Sequence, residues 1–226
     1  MPVHLFREIE NLKREILTLG AMAETAVRDA TWAIENRDEP LARNVLENDD
    51  KLDNMEVQIE EDCLKTLALY QPVAIDLRFI VAVLKINNDL ERVGDLAVNV
   101  AERAAFLATQ PPVDISFDFQ AMARQAQEML KESLDSLVSL SAAQARAVLT
   151  SDDKIDAMNR EMYRIVQDAI HAHPDQTGSL IHLLSASRHL ERIADHATNI
   201  AEDVIYMIEG VIVRHKTEEY RPQTRR

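Results

Sequence analysis

LERVGDLAVNVAE at residues 90–102 and LERIADHATNIAE at residues 190–202 are one helix written twice, 100 positions apart. Leu, Glu, Arg, Asp, Ala, Asn, Ala and Glu recur at matching places, and neither copy contains proline. On a helix turning about 100° per residue, Glu91, Asp95, Asn99 and Glu102 share one arc. Val93, Ala97, Val100 and Ala101 fall on another arc and can be buried. A helix that repeats its carboxylate face as faithfully as its packing face points to a site as well as a core.

The duplication extends beyond this helix. ARNVLENDDKLDNM at residues 42–55 matches ARAVLTSDDKIDAM at 145–158, now at an offset of 103. The change of offset has to be absorbed between the two segments, at the connection around Gln71 and Pro72 in one copy and His173 to Gly178 in the other. The chain is therefore read as two copies of one unit.

Four glycines and seven prolines in 226 residues, with apolar positions dominated by Ala, Leu, Ile, Val and Met, indicate an all-α protein. Gly20, Gly94, Gly178 and Gly210 are too scattered to form a dinucleotide fingerprint or a phosphate-binding loop, which removes nucleotide enzymes of those types. A formal charge of −14, from 39 acidic and 25 basic side chains, opposes binding to a phosphate backbone, so nucleic acid is not expected as a partner. The lone Cys63 cannot form an intramolecular disulfide and lies on an apolar face, which suits a buried structural thiol. Charges interrupt the N-terminal segment where a signal peptide needs an apolar run, and no uncharged stretch reaches the roughly 18 residues of a membrane span. A soluble, cytoplasmic protein without membrane insertion is expected.

Periodicity and punctuation divide the chain into six helices. Leu5, Ile9, Leu12, Ile16, Leu19, Ala23, Ala26, Ala30 and Ala33 alternate steps of four and three, the seam of a helical bundle. This helix stops in Asn36-Arg37-Asp38, where Asp38 can cap the next and Pro40 fits its first turn. The second helix runs to about Leu69 and the third from after Pro72 to about Ala108. TQPPVDISF then forms the one substantial linker. A fourth helix over 118–139 leads to Ser141, which has capping-box spacing to Gln144, and a fifth continues to about His171. A sixth follows the Pro174 to Gly178 turn and covers 179–213. Two tandem three-helix bundles, 1–109 and 118–215, followed by a frayed basic tail over 216–226, are the expected organisation.

The acidic faces share a minimal element, a carboxylate pair at i and i+4, which occurs four times: Asp49/Asp53, Glu91/Asp95, Asp152/Asp156 and Glu191/Asp195. Glu56 and Glu60 extend the first, but Asn159 and Tyr163 replace them in the second copy, so this outer part looks dispensable to any shared chemistry. The first two pairs are equidistant from Pro72 and the last two from the His173-Pro174 turn. Antiparallel neighbours would bring them level, on axes about 8–10 Å apart. Carboxylates crowded in this way raise one another's pKa unless a cation neutralises them. Two metal sites are the economical reading, with Asn99, Glu102, Asn199 and Glu202 as further donors. Oxygen donors suit hard or borderline cations such as zinc, manganese or magnesium. The alternative is four solvated faces whose likeness records duplication alone.

Histidines add little: His182 and His196 have no counterparts in the first copy, which holds Ala82 and Leu96 there, and His189 lies in an RHLER stretch without any ATP-binding domain after it. The ferritin-type Glu-x-x-His is missing. A metal-dependent hydrolase or oxidase would need an acid or base that the sequence does not offer, and a metal-free helical scaffold would need none.

The repeated LERVGDLAVN and LERIADHATN, with DDKLD, DDKID, QPVAIDLRF and IYMIEG, resemble the PhoU family of phosphate-uptake regulators over residues 5–215. Gly94, which becomes Ala194, is a mild departure. The resemblance implies two tandem three-helix bundles and a metal motif, a Glu or Asp separated by three residues from an Asp, that all four pairs fit. It implies multinuclear iron or other divalent clusters. It further implies negative regulation of phosphate import through a membrane sensor histidine kinase and the ATPase subunit of a phosphate ABC transporter. Pairing into a homodimer stays open.

Overall fold

Six helices make up the computed structural model, which describes residues 3–113, 115 and 117–213. They are α1 (Val3–Asn36), α2 (Glu39–Tyr70), α3 (Ala74–Thr109), α4 (Phe119–Ser139), α5 (Ala142–Ala172) and α6 (Thr177–Glu209), with a 3-10 turn at Pro174–Gln176 before α6. No strand occurs among the described residues, and the chain is an all-α tandem repeat, α1–α3 followed by α4–α6. None of the described helices is long and apolar enough to cross a membrane. The expected tail over 216–226 lies outside the described residues.

The caps explain the boundaries. Asp38 accepts a hydrogen bond from Leu41 N at 2.9 Å and Asp118 from Ala121 N at 2.8 Å, each satisfying an N–H that the first turn leaves open. Ser141 accepts from Gln144 N at 3.3 Å, but the return half of the box does not form. The Ser141 N–H goes instead to Ser136 O, and the Gln144 carboxamide oxygen accepts from the Ser139 hydroxyl. Arg37 and Leu140 close α1 and α4 in the left-handed region, with φ of 55° and 50° at equivalent positions of the two copies. The sixth helix ends four residues before the sequence-derived boundary because Gly210 turns left-handed and donates its N–H to Tyr206 O.

Along α1 the seam buries Leu5, Ile9, Leu12, Ile16, Leu19, Ala23, Ala30 and Ala33 as expected, but Val27 replaces Ala26 in the core. A straight helix at 3.6 residues per turn drifts off a strict seven-residue repeat, and here the drift leaves Ala26 half-buried. Cys63 is buried, and burial, followed by the nearby Glu15, Asp62 and Glu60 charges, pushes its thiol up to about 12, which makes it inert packing. At Gly94 an added Cβ would lie 2.9 Å from a Leu52 methyl, so α2 approaches α3 closely there.

One continuous hydrophobic core, from Leu5 on α1 to Met207 on α6, runs through both repeats. Truncating a fully buried member such as Leu90 or Leu190 to alanine would cost about 2–5 kcal/mol. The repeats meet through α3 and α6, which run antiparallel. Lys85 pairs with Asp203 at 2.9 Å, and shifting both positions by 100 gives the observed contact of Arg103 Nε with Ser185 Oγ at 3.3 Å. An approximate twofold therefore relates the halves. The linker is used asymmetrically, with Val113, Ile115 and Phe117 packing on Met162, Val166 and Leu180 of the second repeat.

Candidate metal centres and the interface between them

The acidic pairs sit on α2, α3, α5 and α6, on the arcs beside the apolar stripes that hold Leu52 and Ile59, Leu90 and Val93, Ile155, and Leu190 and Ile193 in the core. Helix packing thus fixes where each carboxylate points. Because α2 and α3 are joined by a short turn, they are antiparallel neighbours, and the same holds for α5 and α6.

The electrostatics show which charges meet. Asp49 is raised from the ordinary carboxylate range by burial, then by Asp53 on its own helix, by Asp95 across the interface and by Asp50. Glu91 is raised by burial, then by Asp95, with Asp53 and Glu56 of α2 adding to the effect and Arg92 opposing it. In the second repeat Glu191 is raised by burial and by Asp156. Asp195 is pushed up to about 6 by burial, then by Glu191, Asp152 and Asp156, with His196 opposing. All eight expected carboxylates thus belong to two crowded acidic patches, one per repeat, each spanning two helices. Asp195 stays exposed to solvent, which screens its neighbours. Its shift therefore reflects partial desolvation first and like charge second, and solvent screening keeps the cost small.

Among the described residues, no group of three or more His, Cys, Asp or Glu side chains is gathered closely enough to hold an ion as it stands. Arginines on the same helices draw several carboxylates aside. Asp95 pairs with Arg92 at 3.1 Å, Glu91 lies 3.3 Å from Arg92 Nε, and Asp156 pairs with Arg160 at 3.4 Å. These are exposed or half-exposed pairs of little individual strength, so the carboxylates can leave them at small cost. The Glu91 Oε2 atom is buried and takes no hydrogen bond, with Arg92 Nε as its ion-pair partner. An all-oxygen donor set held by such weak pairs fits a hard or borderline cation.

The four further donors divide. Asn99 gives its amide to Asp95 O on its own helix at 2.7 Å, and Glu102 pairs with Arg103 at 2.9 Å. Asn199 points into the interface between the repeats, 3.4 Å from Asp89 Oδ1. Glu202 is half-buried and engaged.

Asp89 was not singled out by motif or spacing. It is buried on α3, and its Oδ1 lies 2.8 Å from His196 Nδ1 of α6. The aspartate becomes His189 and the histidine becomes Leu96 in the other copy, so the pair interrupts the twofold. That double departure from the repeat was the available signal. His182 stacks on Phe106, with ring centroids 3.8 Å apart, at the same interface. His189 lies 3.3 Å from Ser185 Oγ, and burial followed by Arg103 lowers its pKa. The three histidines thus serve the joint between α3 and α6.

Comparison with known proteins places this arrangement. The PhoU domain model matches residues 16–104 and 119–204, one match per repeat. A phosphate-specific transport system accessory protein PhoU homolog of Aquifex aeolicus is 38% identical over 94% of this chain and 96% of its own length. Its counterpart in Caulobacter vibrioides is 36% identical over 90% of this chain and 89% of its own. The crystal structure of PhoU from Pseudomonas aeruginosa superposes with a TM-score of 0.86 at 35% identity, covering 91% of this chain and 99% of that one. The phosphate transport system regulatory protein PhoU from Streptococcus pneumoniae gives 0.82 at 26% identity, covering 92% and 99%.

Proposed function

The chain belongs to the PhoU family, and from that premise we propose that it holds high-affinity phosphate import and the phosphate-starvation response down when phosphate is plentiful. It acts in the cytoplasm as a metal-binding adaptor, contacting a membrane sensor histidine kinase and the ATPase subunit of a phosphate ABC transporter. The observation that carries the regulatory part is the end-to-end match to relatives named as accessory proteins of the phosphate-specific transport system.

The metal part is supported by the pairing of Asp49/Asp53 with Glu91/Asp95 and of Asp152/Asp156 with Glu191/Asp195, because a bound cation would offset the repulsion that raises these groups. Iron in a multinuclear cluster, or zinc, manganese or magnesium, matches the oxygen-rich donors. Both patches lie on bundle surfaces, where an ion shapes a contact face more than it holds the fold.

Deleting the gene should derepress phosphate uptake and starvation-gene expression in phosphate-rich medium, and unchanged transport in the deletion strain would refute the regulatory reading. Elemental analysis of the purified protein tests the metal separately.

A further inference from the structure

The two ends of the duplicated fold differ in character. Where α6 finishes against the start of α3 and the cap of α4, a cavity of about 230 Å³ opens among Ile9, Ile75, Phe79, Leu140, Met207 and Ile208. Ile75 and Leu140 at its rim, and Val73 just before α3, are each more than half exposed. Val211 and Ile212, which follow α6, add further exposed apolar surface.

At the end related by the approximate twofold the same places are polar. Arg37 stands where Leu140 does, and it donates to Ala108 O at 3.3 Å and to Gln110 O, sealing the end of α3. Ser179 replaces Phe79, and Asp175 and Thr177 precede it where Ile75 and Leu77 precede the phenylalanine. The fold therefore works with a polar end, and an apolar one is a property of this end alone. Clustered exposed apolar side chains of this kind mark a surface that something covers.

The chain itself supplies a candidate cover at this end. Val213 is buried in the core, and RHKTEEYRPQTRR at 214–226 continues from it, with five Lys and Arg against two Glu in a protein of net charge −14. Tyr220 is its one aromatic residue. Ile208 and Val213 are separated by at most about 18 Å of chain, and Val213 and Tyr220 by up to about 25 Å, so the tyrosine has the reach to return to the cavity. The cavity's polar members are Lys13 and Asp76. The Lys13 ammonium is already engaged, by Glu10 at 2.6 Å and by the Phe79 ring at 5.7 Å. Asp76, in the first turn of α3, has no ion-pair partner among the described residues. An apolar cavity beside an unmatched carboxylate is complementary to an aromatic ring followed by a cation, which is Tyr220-Arg221.

We propose that residues 214–226 fold back over this end of the molecule, with the Tyr220 ring in the cavity and the Arg221 guanidinium against Asp76. Burial of the ring provides the affinity, and the charge pair fixes its register. Tethering makes the contact intramolecular, so one aromatic anchor suffices where a separate peptide would need more. The segment thereby shields an apolar surface through which the protein would otherwise associate. The inference goes beyond the regulatory reading and does not depend on it.

The test uses the full chain with the photocrosslinker benzoylphenylalanine in place of Tyr220, which keeps an aromatic ring, and mass spectrometry of the irradiated protein. Crosslinks within one chain should fall on the segments that hold Ile75 to Phe79, Leu140 or Met207, several-fold above those from the same crosslinker in place of Arg226. Arg221→Glu should cut this yield several-fold, and the exchange Arg221→Asp with Asp76→Arg should restore it. If Asp76→Arg disturbs α3, which circular dichroism reports, Arg221→Glu decides by itself. In the otherwise unmodified chain, Tyr220→Ala should raise the fluorescence of added anilinonaphthalene sulfonate at least severalfold. Crosslinks that join two chains would assign this end to a contact between copies and overturn the proposal. A yield from position 220 no higher than from position 226, a yield unchanged by Arg221→Glu, a well-folded charge exchange that restores nothing, or dye fluorescence indifferent to Tyr220→Ala would overturn it as well.

Discussion

The side-chain amide of Asn87 on α3 donates twice to Glu56 on α2, at 2.9 Å to its backbone carbonyl and 3.1 Å to its carboxylate. In the second repeat the same two positions hold Ser187 and Asn159, and the serine hydroxyl donates to the asparagine carboxamide oxygen at 3.2 Å. The replacement of Glu56 by Asn159 is therefore one half of an exchange that keeps a polar bridge between paired helices. Glu56 thus has a structural part to play, separate from any chemistry the two copies share.

This exchange predicts a specific non-additivity. Asn87→Ala should cost about 1–2 kcal/mol, because the buried bridge is lost and Glu56 keeps its desolvation. Glu56→Asn with Asn87→Ser together should cost less than the sum of the two single changes, since the pair transplants the second repeat's solution. Urea unfolding of the four proteins measures the coupling, and strict additivity would show that the positions do not communicate.

The ion pair of Lys85 with Asp203 predicts the strength of the joint between repeats. Asp203 is 2% exposed while Lys85 is 37% exposed, so the lysine is partly screened and its removal should cost about 1–3 kcal/mol, below the range for a fully buried pair. Lys85→Met should unfold earlier in urea than the wild type. An unchanged midpoint would mean that water or the other partners of Asp203 satisfy the carboxylate alone.

Asp195 predicts the pH response of the ion-free protein. Its folded pKa of about 6 stands above the ordinary 3.8, so the folded chain binds this proton more tightly than the unfolded chain. The stability it contributes is fully present below about pH 4 and is lost as pH rises through about 6. Asp195→Asn should melt higher than the wild type at pH 8 in chelator and at the same temperature at pH 4. Equal melting at both values would place Asp195 outside the crowded patch.

Much of this was legible in the sequence for identifiable reasons. Helix identity followed from the repeated apolar arcs and from Asp38, Ser141 and the proline turns, because capping and periodicity are local. The level pairing of carboxylates followed from equal distance to short turns. What could not be read was rotation and side-chain choice. Whether Asp95 turns toward Asp49 or toward Arg92, and whether Asn199 serves the patch or reaches Asp89, depends on contacts between elements far apart in the chain. Ala26 shows the same limit, since the heptad puts it in the seam and helical drift takes it out. The differences between the copies at Glu56/Asn159, Asp89/His189 and Ala26/Met129 were visible, but only the packed structure says what each one does.

The acidic patches predict two independent metal sites. Asp49/Asp53 with Glu91/Asp95 and Asp152/Asp156 with Glu191/Asp195 occupy separate repeats, so emptying one should leave the other. Glu91→Gln with Asp95→Asn keeps size and removes two negative charges, and metal content measured by elemental analysis should fall by roughly half, in keeping with the coupling of affinity to ligand ionisation. Glu191→Gln with Asp195→Asn should remove the remaining half when combined with the first pair. Helical content should survive in every variant, because the core beneath is apolar and continuous. Binding should also fall with acid as the raised carboxylates take up protons, the Asp195 site weakening below about pH 6. Arg92→Ala should raise affinity at the first site, since it releases Glu91 and Asp95 from the arginine that now holds them. If protein purified under reducing conditions binds no divalent or trivalent ion, or both double variants retain full metal content, the patches are solvated faces and their likeness records the duplication alone.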